Sequence, residues 1–216
     1  MTLYPWQQSQ WQILQQSRRH GRLPHAILLT GPQGLGKEEF ALYFAQSLLC
    51  EQSGVDGEPC GQCRACLLYQ AGNHPDVTVI SPLEGKKNIG VDQVREIGQY
   101  LALKAQYSGH RVVVLTPAET MNVNSANSLL KTLEEPSPGT VLVLVTHRPA
   151  QLPATIRSRC QEIRFGTVTP EQGAAWLKAR GNGADGELLL ALADGAPLKA
   201  ARFADDNMIQ ARLEWF

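Results

Sequence analysis

The sequence predicts an α/β protein: a five-stranded parallel sheet wrapped by helices, followed by a small all-helical unit. Three observations carry that reading. Short, β-branched apolar runs alternate with helical patterns as far as Phe165; a glycine-rich loop joins one such run to a helix; and no strand pattern follows Phe165. The 216 residues are 43% hydrophobic and 19% charged, enough apolar material for one sizeable core or two small ones, so a disordered chain is excluded.

The elements follow in order. A first helix spans roughly Trp6 to Arg19 and is stopped by Gly21, with the glutamine-rich stretch Gln7 to Gln16 as its polar face. The apolar run His25 to Thr30 is the first strand, and Lys37 to Leu49 the helix after it. Asp76 to Ile80 is the second strand; Val91, Val94, Ile97 and Leu101 then recur at helical spacing over Val91 to Lys104. Arg111 to Leu115 is the third strand, Asn124 to Leu133 a helix ended by Pro136, Thr140 to Val145 the fourth strand and Gln161 to Phe165 the fifth. Beyond it, Thr169 as N-cap and Pro170 at the first helical position open an alanine-rich helix. Further helices are expected near Pro170 to Ala179, Gly186 to Ala193 and Leu198 to Phe203, with glycines 181, 183 and 195 as breaks. Residues 207–216 place Met208, Ile209, Leu213, Trp215 and Phe216 on a helical pattern that nothing following can bury, so the chain reads as part of a longer protein.

Charge narrows the function classes. Lys+Arg and Asp+Glu number 20 each, a formal net charge of +0, so no global field holds a polyanion and any nucleic-acid contact must be local or shared with partners. The apolar stretches fall far short of the roughly 20 residues that cross a bilayer. The first residues lack the basic region and apolar core of a secretory signal, and the expected location is the cytoplasm. In that reducing compartment five cysteines bind metal or stay free rather than pair.

Gly31-Pro32-Gln33-Gly34-Leu35-Gly36-Lys37 fits a phosphate-binding loop, G-x-x-x-x-G-K, in the strand-to-helix context that gives it meaning. Backbone N–H groups and the helix N-terminus would cradle phosphates, with Gly31, Gly34, Gly36 and Lys37 as the candidate nucleotide contacts; a glycine-rich turn without that history is the bland alternative. The motif breaks at Glu38, where a hydroxyl would hold Mg²⁺ and a carboxylate has the wrong sign. A second requirement fails with it: the acidic pair expected after the third strand is replaced by Thr116 and Pro117, and Glu119, two positions on, reads as a surface charge.

Cys50, Cys60, Cys63 and Cys66 form C-x9-C-x2-C-x2-C, with Gly57 and Gly61 allowing the turns that bring sulfurs together. Four thiolates point to a closed, structural Zn²⁺ site; an iron–sulfur cluster, free thiols or stray disulfides are the alternatives. His74, before Pro75, reads as a turn residue rather than a ligand. Asn127 to Pro136 is by periodicity an amphipathic packing helix with a Glu-Glu-Pro stop. Arg157 and Arg159, two apart before the fifth strand, diverge; taken alone each is an ordinary surface charge.

In this order, Gly31 to Lys37, the cysteine insertion, Asn127 to Pro136, Leu152 to Thr155 and Ser158-Arg159-Cys160 resemble the AAA+ clamp-loader family. The resemblance covers about the whole chain. It implies an AAA+ (RecA-like) base domain over 1–166 with strand order 5-1-4-3-2 and a zinc module at 50–66, a helical lid over 167–206, and at 207–216 the start of a C-terminal collar domain. It implies a heteropentameric ring of ATPase subunits, a clamp-opening subunit and this one, which opens a sliding clamp and places it on primed DNA. Within it, the arginine of Ser-Arg-Cys, here Arg159, reaches into the neighbouring subunit's ATP site. An active ATPase subunit of that family is expected to carry Ser or Thr at 38, an Asp-Glu pair at 116 and 117, and Gly-Ser-x-Arg in the second domain. Here stand Glu38, Thr116, Pro117 and Gly195-Ala196-Pro197-Leu198. The expectation is a catalytically silent ring subunit, its retained glycines and Lys37 leaving nucleotide binding open. A stand-alone phosphate-loop ATPase or nucleotide kinase is disfavoured by Glu38 and Pro117, and a lone zinc-dependent DNA-binding module by the net charge and the lack of a basic helix.

Overall fold

A computed structural model describes residues 2–181 and 186–205. Five parallel strands, β1 (Ala26–Thr30), β2 (Val77–Ile80), β3 (Arg111–Leu115), β4 (Thr140–Val145) and β5 (Gln161–Arg164), form one sheet in the order β2-β3-β4-β1-β5. That is the expected 5-1-4-3-2 order read from the other edge. Register pairs Ile27 with Val143 and with Gln161, so β1 is an interior strand and β5 an edge.

Helices cover both faces because the side-chain period of a strand is two. Ile27, Leu29, Val112, Val114, Val141, Val143 and Val145 point to one face, where α1 (Gln8–Arg19) and α2 (Lys37–Leu49) supply Trp11, Leu14, Phe40, Phe44 and Leu48. The alternate positions Leu28, Val113, Leu115, Leu142 and Leu144 meet Ile97 and Leu101 of α4 (Val91–Ala102) and Leu129 and Leu133 of α5 (Val123–Glu134). Two short helices lay outside the pattern reading. They are α3 (Arg64–Gln70), inside the cysteine-rich insertion, and α6 (Ala154–Arg157), a single turn that inserts Ile156 into the second core. Both are too short for a 3.6-residue period to show. At the amino end of the sheet, Asp76 pairs with Arg111 at 3.4 Å in the interior and accepts the N–H groups of Gln106 and Tyr107, which pins the loop before β3.

A three-helix unit follows: α7 (Pro170–Ala179), α8 (Gly186–Leu192) and α9 (Pro197–Asp205), closed around Leu177, Leu189, Leu190 and Ala200. Thr169 caps α7 by accepting from the N–H of Gln172, as its position before Pro170 foretold. The break expected at Gly183 and the pattern at 207–216 lie outside the described residues. Among the described residues no helix is long and apolar enough to cross a membrane.

The glutamine-rich stretch needs a correction. The first turn, Pro5–Gln7, is 3-10 rather than α, and Gln7 and Gln15 are buried, not part of a polar face. A primary amide satisfies two carbonyls at once, and Gln7 does so against the glycine-rich loop.

Candidate functional site

The loop from Gly31 to Lys37 sits where the carboxyl end of the interior strand β1 meets the N-terminus of α2. Its backbone depends on glycine, as two of its positions illustrate. Gly36, the N-cap of α2, has φ +75°, and a Cβ on Gly31 would stand 2.4 Å from the carbonyl oxygen of Phe165.

The loop is closed on this chain's own groups. Lys37 is 2% exposed and its Nζ donates to the carbonyls of Gly31 (2.7 Å) and Pro32 (2.6 Å). Burial lowers its pKa to about 8, opposed by the carboxylates of Glu119 and Glu39. Trp6 Nε1 donates to Leu35 O at 3.0 Å; Gln7 Nε2 donates to Leu35 O at 3.0 Å and Gly36 O at 2.8 Å. From the other side, Leu198 N of α9 donates to Gly34 O at 3.1 Å. Tyr4 stacks on Trp6 with ring centroids 5.0 Å apart, and both meet Trp176 of α7 edge-on, so the N-terminal segment also ties the loop to the three-helix unit.

A cavity of about 320 Å³ remains beside the loop, lined among others by Gln33, Lys37, Glu38, His147, Leu198 and Arg202. Glu38 stands on it, and its Oε2 accepts from the Thr116 hydroxyl at 3.4 Å. An ATPase of the family whose pattern this sequence resembles would have a hydroxyl at 38 and an acid at 116. Here position 38 carries a carboxylate and position 116 a hydroxyl, so the first turn of α2 offers no hydroxyl. Leu198 and, one turn along α9, Arg202 both line this cavity.

Glu119 is not a surface charge, contrary to its reading from sequence. Its Oε1 accepts from His147 N at 3.1 Å and its Oε2 is buried without a partner. The short turn Ala118–Thr120 folds the side chain back toward Lys37. His147, after β4, was missed altogether: burial and the neighbouring Lys37 cation lower its pKa. Nothing in a lone Thr-His-Arg after an apolar run marks it, since its role depends on Glu119 arriving from another strand.

The four cysteines converge. Their Sγ atoms all lie within 4.8 Å of one another, with Cys50 to Cys63 at 3.9 Å and Cys60 to Cys66 at 4.0 Å. Sulfurs about 2.3 Å from a tetrahedral Zn²⁺ would be separated by about 3.8 Å, so the set has the right size for such an ion. Backbone N–H groups of Cys60, Cys63 and Cys66 point at Cys50, Cys60 and Cys63 sulfurs at 3.3, 3.3 and 3.4 Å, the donor pattern that favours thiolates. Such donors lower the Cys60 pKa to about 6, whereas burial pushes the Cys50 and Cys66 thiols up. The four residues could hold a metal ion. Cys160 lies elsewhere, packed against the second core, its thiol pushed up to about 12 by burial. His74 is a buried turn residue whose Nδ1 accepts from Asp76 N at 3.1 Å.

Arg159 follows α6 at the entry to the edge strand β5. It is not extended into solvent: one terminal nitrogen meets Glu134 Oε1 at 2.7 Å and the other donates to Thr155 O at 3.0 Å. Arg157 adds its charge to the field at Glu162 instead.

Comparison with known proteins agrees with this geometry. The model of the family described as DNA polymerase III, delta subunit matches residues 6–169. The DNA polymerase III subunit delta′ of Pseudomonas aeruginosa is 44% identical over 98% of the chain and 64% of its own length. That of Haemophilus influenzae is 41% identical over 97% of the chain and 64% of its own. The chain thus spans just under two thirds of these relatives. The RuvB Holliday junction branch migration motor of Thermotoga maritima superposes with a TM-score of 0.59 over 92% of the chain and 59% of that protein, at 16% identity, a likeness of fold alone.

Proposed function

The chain belongs to the DNA polymerase III delta′ subunit family, whose fold is AAA+, and on that premise we propose that it is an ATPase-inactive subunit of the clamp loader. Its partners are the gamma/tau ATPase subunits and the delta subunit, and through the assembled complex the sliding clamp and primed DNA. In this reading residues 1–166 are the AAA+ base, 167–206 the lid and 207–216 the start of a collar domain.

The observation that carries the inactive assignment is the engagement of Lys37. Its ammonium is engaged by the carbonyls of Gly31 and Pro32, in a loop whose Gly34, Leu35 and Gly36 carbonyls accept from Leu198, Trp6 and Gln7. A bound triphosphate would have to draw the Lys37 ammonium off these two carbonyls while facing the Glu38 carboxylate. Thr116 and Pro117 offer no acid to hold a metal or orient water.

Cys50, Cys60, Cys63 and Cys66 hold a structural Zn²⁺, which as a closed four-thiolate site supplies folding energy to the 50–66 lobe rather than chemistry.

The positive contribution belongs to Arg159, which acts in trans on the ATP of a neighbouring subunit. A guanidinium stabilises charge on the transferring phosphoryl group, an effect worth roughly 10³–10⁵ in other phosphoryl-transfer systems. A multi-step loading cycle is expected to show a smaller loss. In a clamp loader assembled from full-length subunits, Arg159→Ala is expected to lower clamp- and DNA-stimulated ATPase, Arg159→Lys to rescue poorly because it lacks the planar fork, and Arg157→Ala to behave as unaltered protein. Equal behaviour of the two alanine variants would refute the assignment.

A further inference from the structure

We propose that Glu134 is a positioning residue that parks Arg159 on its own subunit until a neighbour's phosphate competes for it. The inference rests on the trans-acting role given to Arg159 above.

Two acceptors from different elements make the dock. Glu134 is the last residue of α5, and its Oε1 lies 2.7 Å from one terminal nitrogen of Arg159; the carbonyl of Thr155, within α6, takes the other at 3.0 Å. The negative end of the α5 dipole adds to the attraction. The dock is rigid. Leu129 and Leu133 of α5 and Ile156 of α6 are buried in the same core, and His25 Nε2 is bonded to Leu133 O at 3.0 Å next to Glu134. Both terminal nitrogens are thereby occupied inside the subunit.

Release is nevertheless easy. The Arg159 and Glu134 side chains are 36% and 50% exposed, and exposed pairs contribute little. A carboxylate carries one negative charge, whereas a terminal phosphate carries more and offers three oxygens. The arginine therefore exchanges one anion for a stronger one as the neighbour's nucleotide approaches. Held at both terminal nitrogens against α5 and α6, it also samples fewer other orientations.

The test compares Glu134→Gln, Arg159→Ala and the double variant in the full-length assembled clamp loader, reading kcat and KM for ATP with and without clamp and primed DNA. Glutamine keeps size and an acceptor but removes the charge. Parking predicts that Glu134→Gln raises the DNA-free kcat by up to about fivefold, the upper end for losing an exposed pair, and leaves the DNA-saturated kcat unchanged. In the Arg159→Ala background the same change should have no effect. A Glu134→Gln ring whose DNA-free kcat is unaltered or lower, beside an Arg159→Ala ring that is impaired, overturns parking and leaves the trans role standing. If Arg159→Ala does not alter ring ATPase, the trans role itself falls. Metal content and thermal unfolding of each variant identify a folding defect.

Discussion

At Lys37 a residue that in sequence is a phosphate ligand becomes an internal donor. Its folded pKa is lowered from the usual lysine value to about 8 by burial, so the protonated form is disfavoured in the fold. The unfolded chain then binds more protons than the native one between about pH 8 and the lysine reference value near 10.4, and stability contributed at this site rises with pH across that window. Below pH 8 both states are protonated and the cost is fully present. Thermal unfolding at pH 8 and pH 10 should therefore show a gain in the unaltered protein, on the order of 1–3 kcal/mol, that is missing in Lys37→Met. An equal gain in both would place the titration elsewhere. The glycines and Lys37 were legible as a loop from their spacing alone. The partners of Lys37 were not, because whether an ammonium faces solvent or its own carbonyls depends on how deeply the loop is packed.

Among the elements, the cysteine lobe is the part whose stability depends on something other than the sheet. It runs from the end of α2 at Cys50 to α3, whose N-cap is Cys63, and its own buried cluster is little more than the cysteines and Ala65. Such a cluster is far too small to fold alone, so on the proposed Zn²⁺ assignment removing the ion should melt the lobe and spare the sheet. Trp11 reports on this, since its Nε1 donates to Asp56 O at 3.0 Å within the lobe while its ring packs on Phe40 and Phe44. Chelation is expected to release about one equivalent of zinc and to change tryptophan emission, a change absent from Trp11→Phe, with most helical circular dichroism kept. Loss of the whole fold on chelation would contradict this division. The cysteine spacing made the convergence of the four sulfurs readable, but α3 was not, because seven residues are too few for a period.

For the molecule as a whole, one of the contacts that set the three-helix unit against the sheet passes through Gly34. Its φ is +85°, and an added Cβ would lie 2.9 Å from Lys199 Cβ and 3.0 Å from Lys199 N on α9. Gly34→Ala should cost about 1–3 kcal/mol, combining left-handed strain with displacement of α9, and lower the unfolding temperature by several degrees. An unchanged melting temperature would mean that α9 is not seated on the loop. By itself the sequence determined the parallel sheet, its strand order through family likeness, the phosphate-type loop, the cysteine quartet and the position of Arg159, because periodicity and motif spacing are local and survive in one dimension. The tertiary structure alone decided that Gln7, Trp6 and Leu198 close that loop, that Glu119 and His147 meet behind it, and that Glu134 takes Arg159. Each of those contacts joins residues 25 to more than 150 positions apart, and such pairing is fixed by which faces the sheet buries together, a quantity no local pattern encodes.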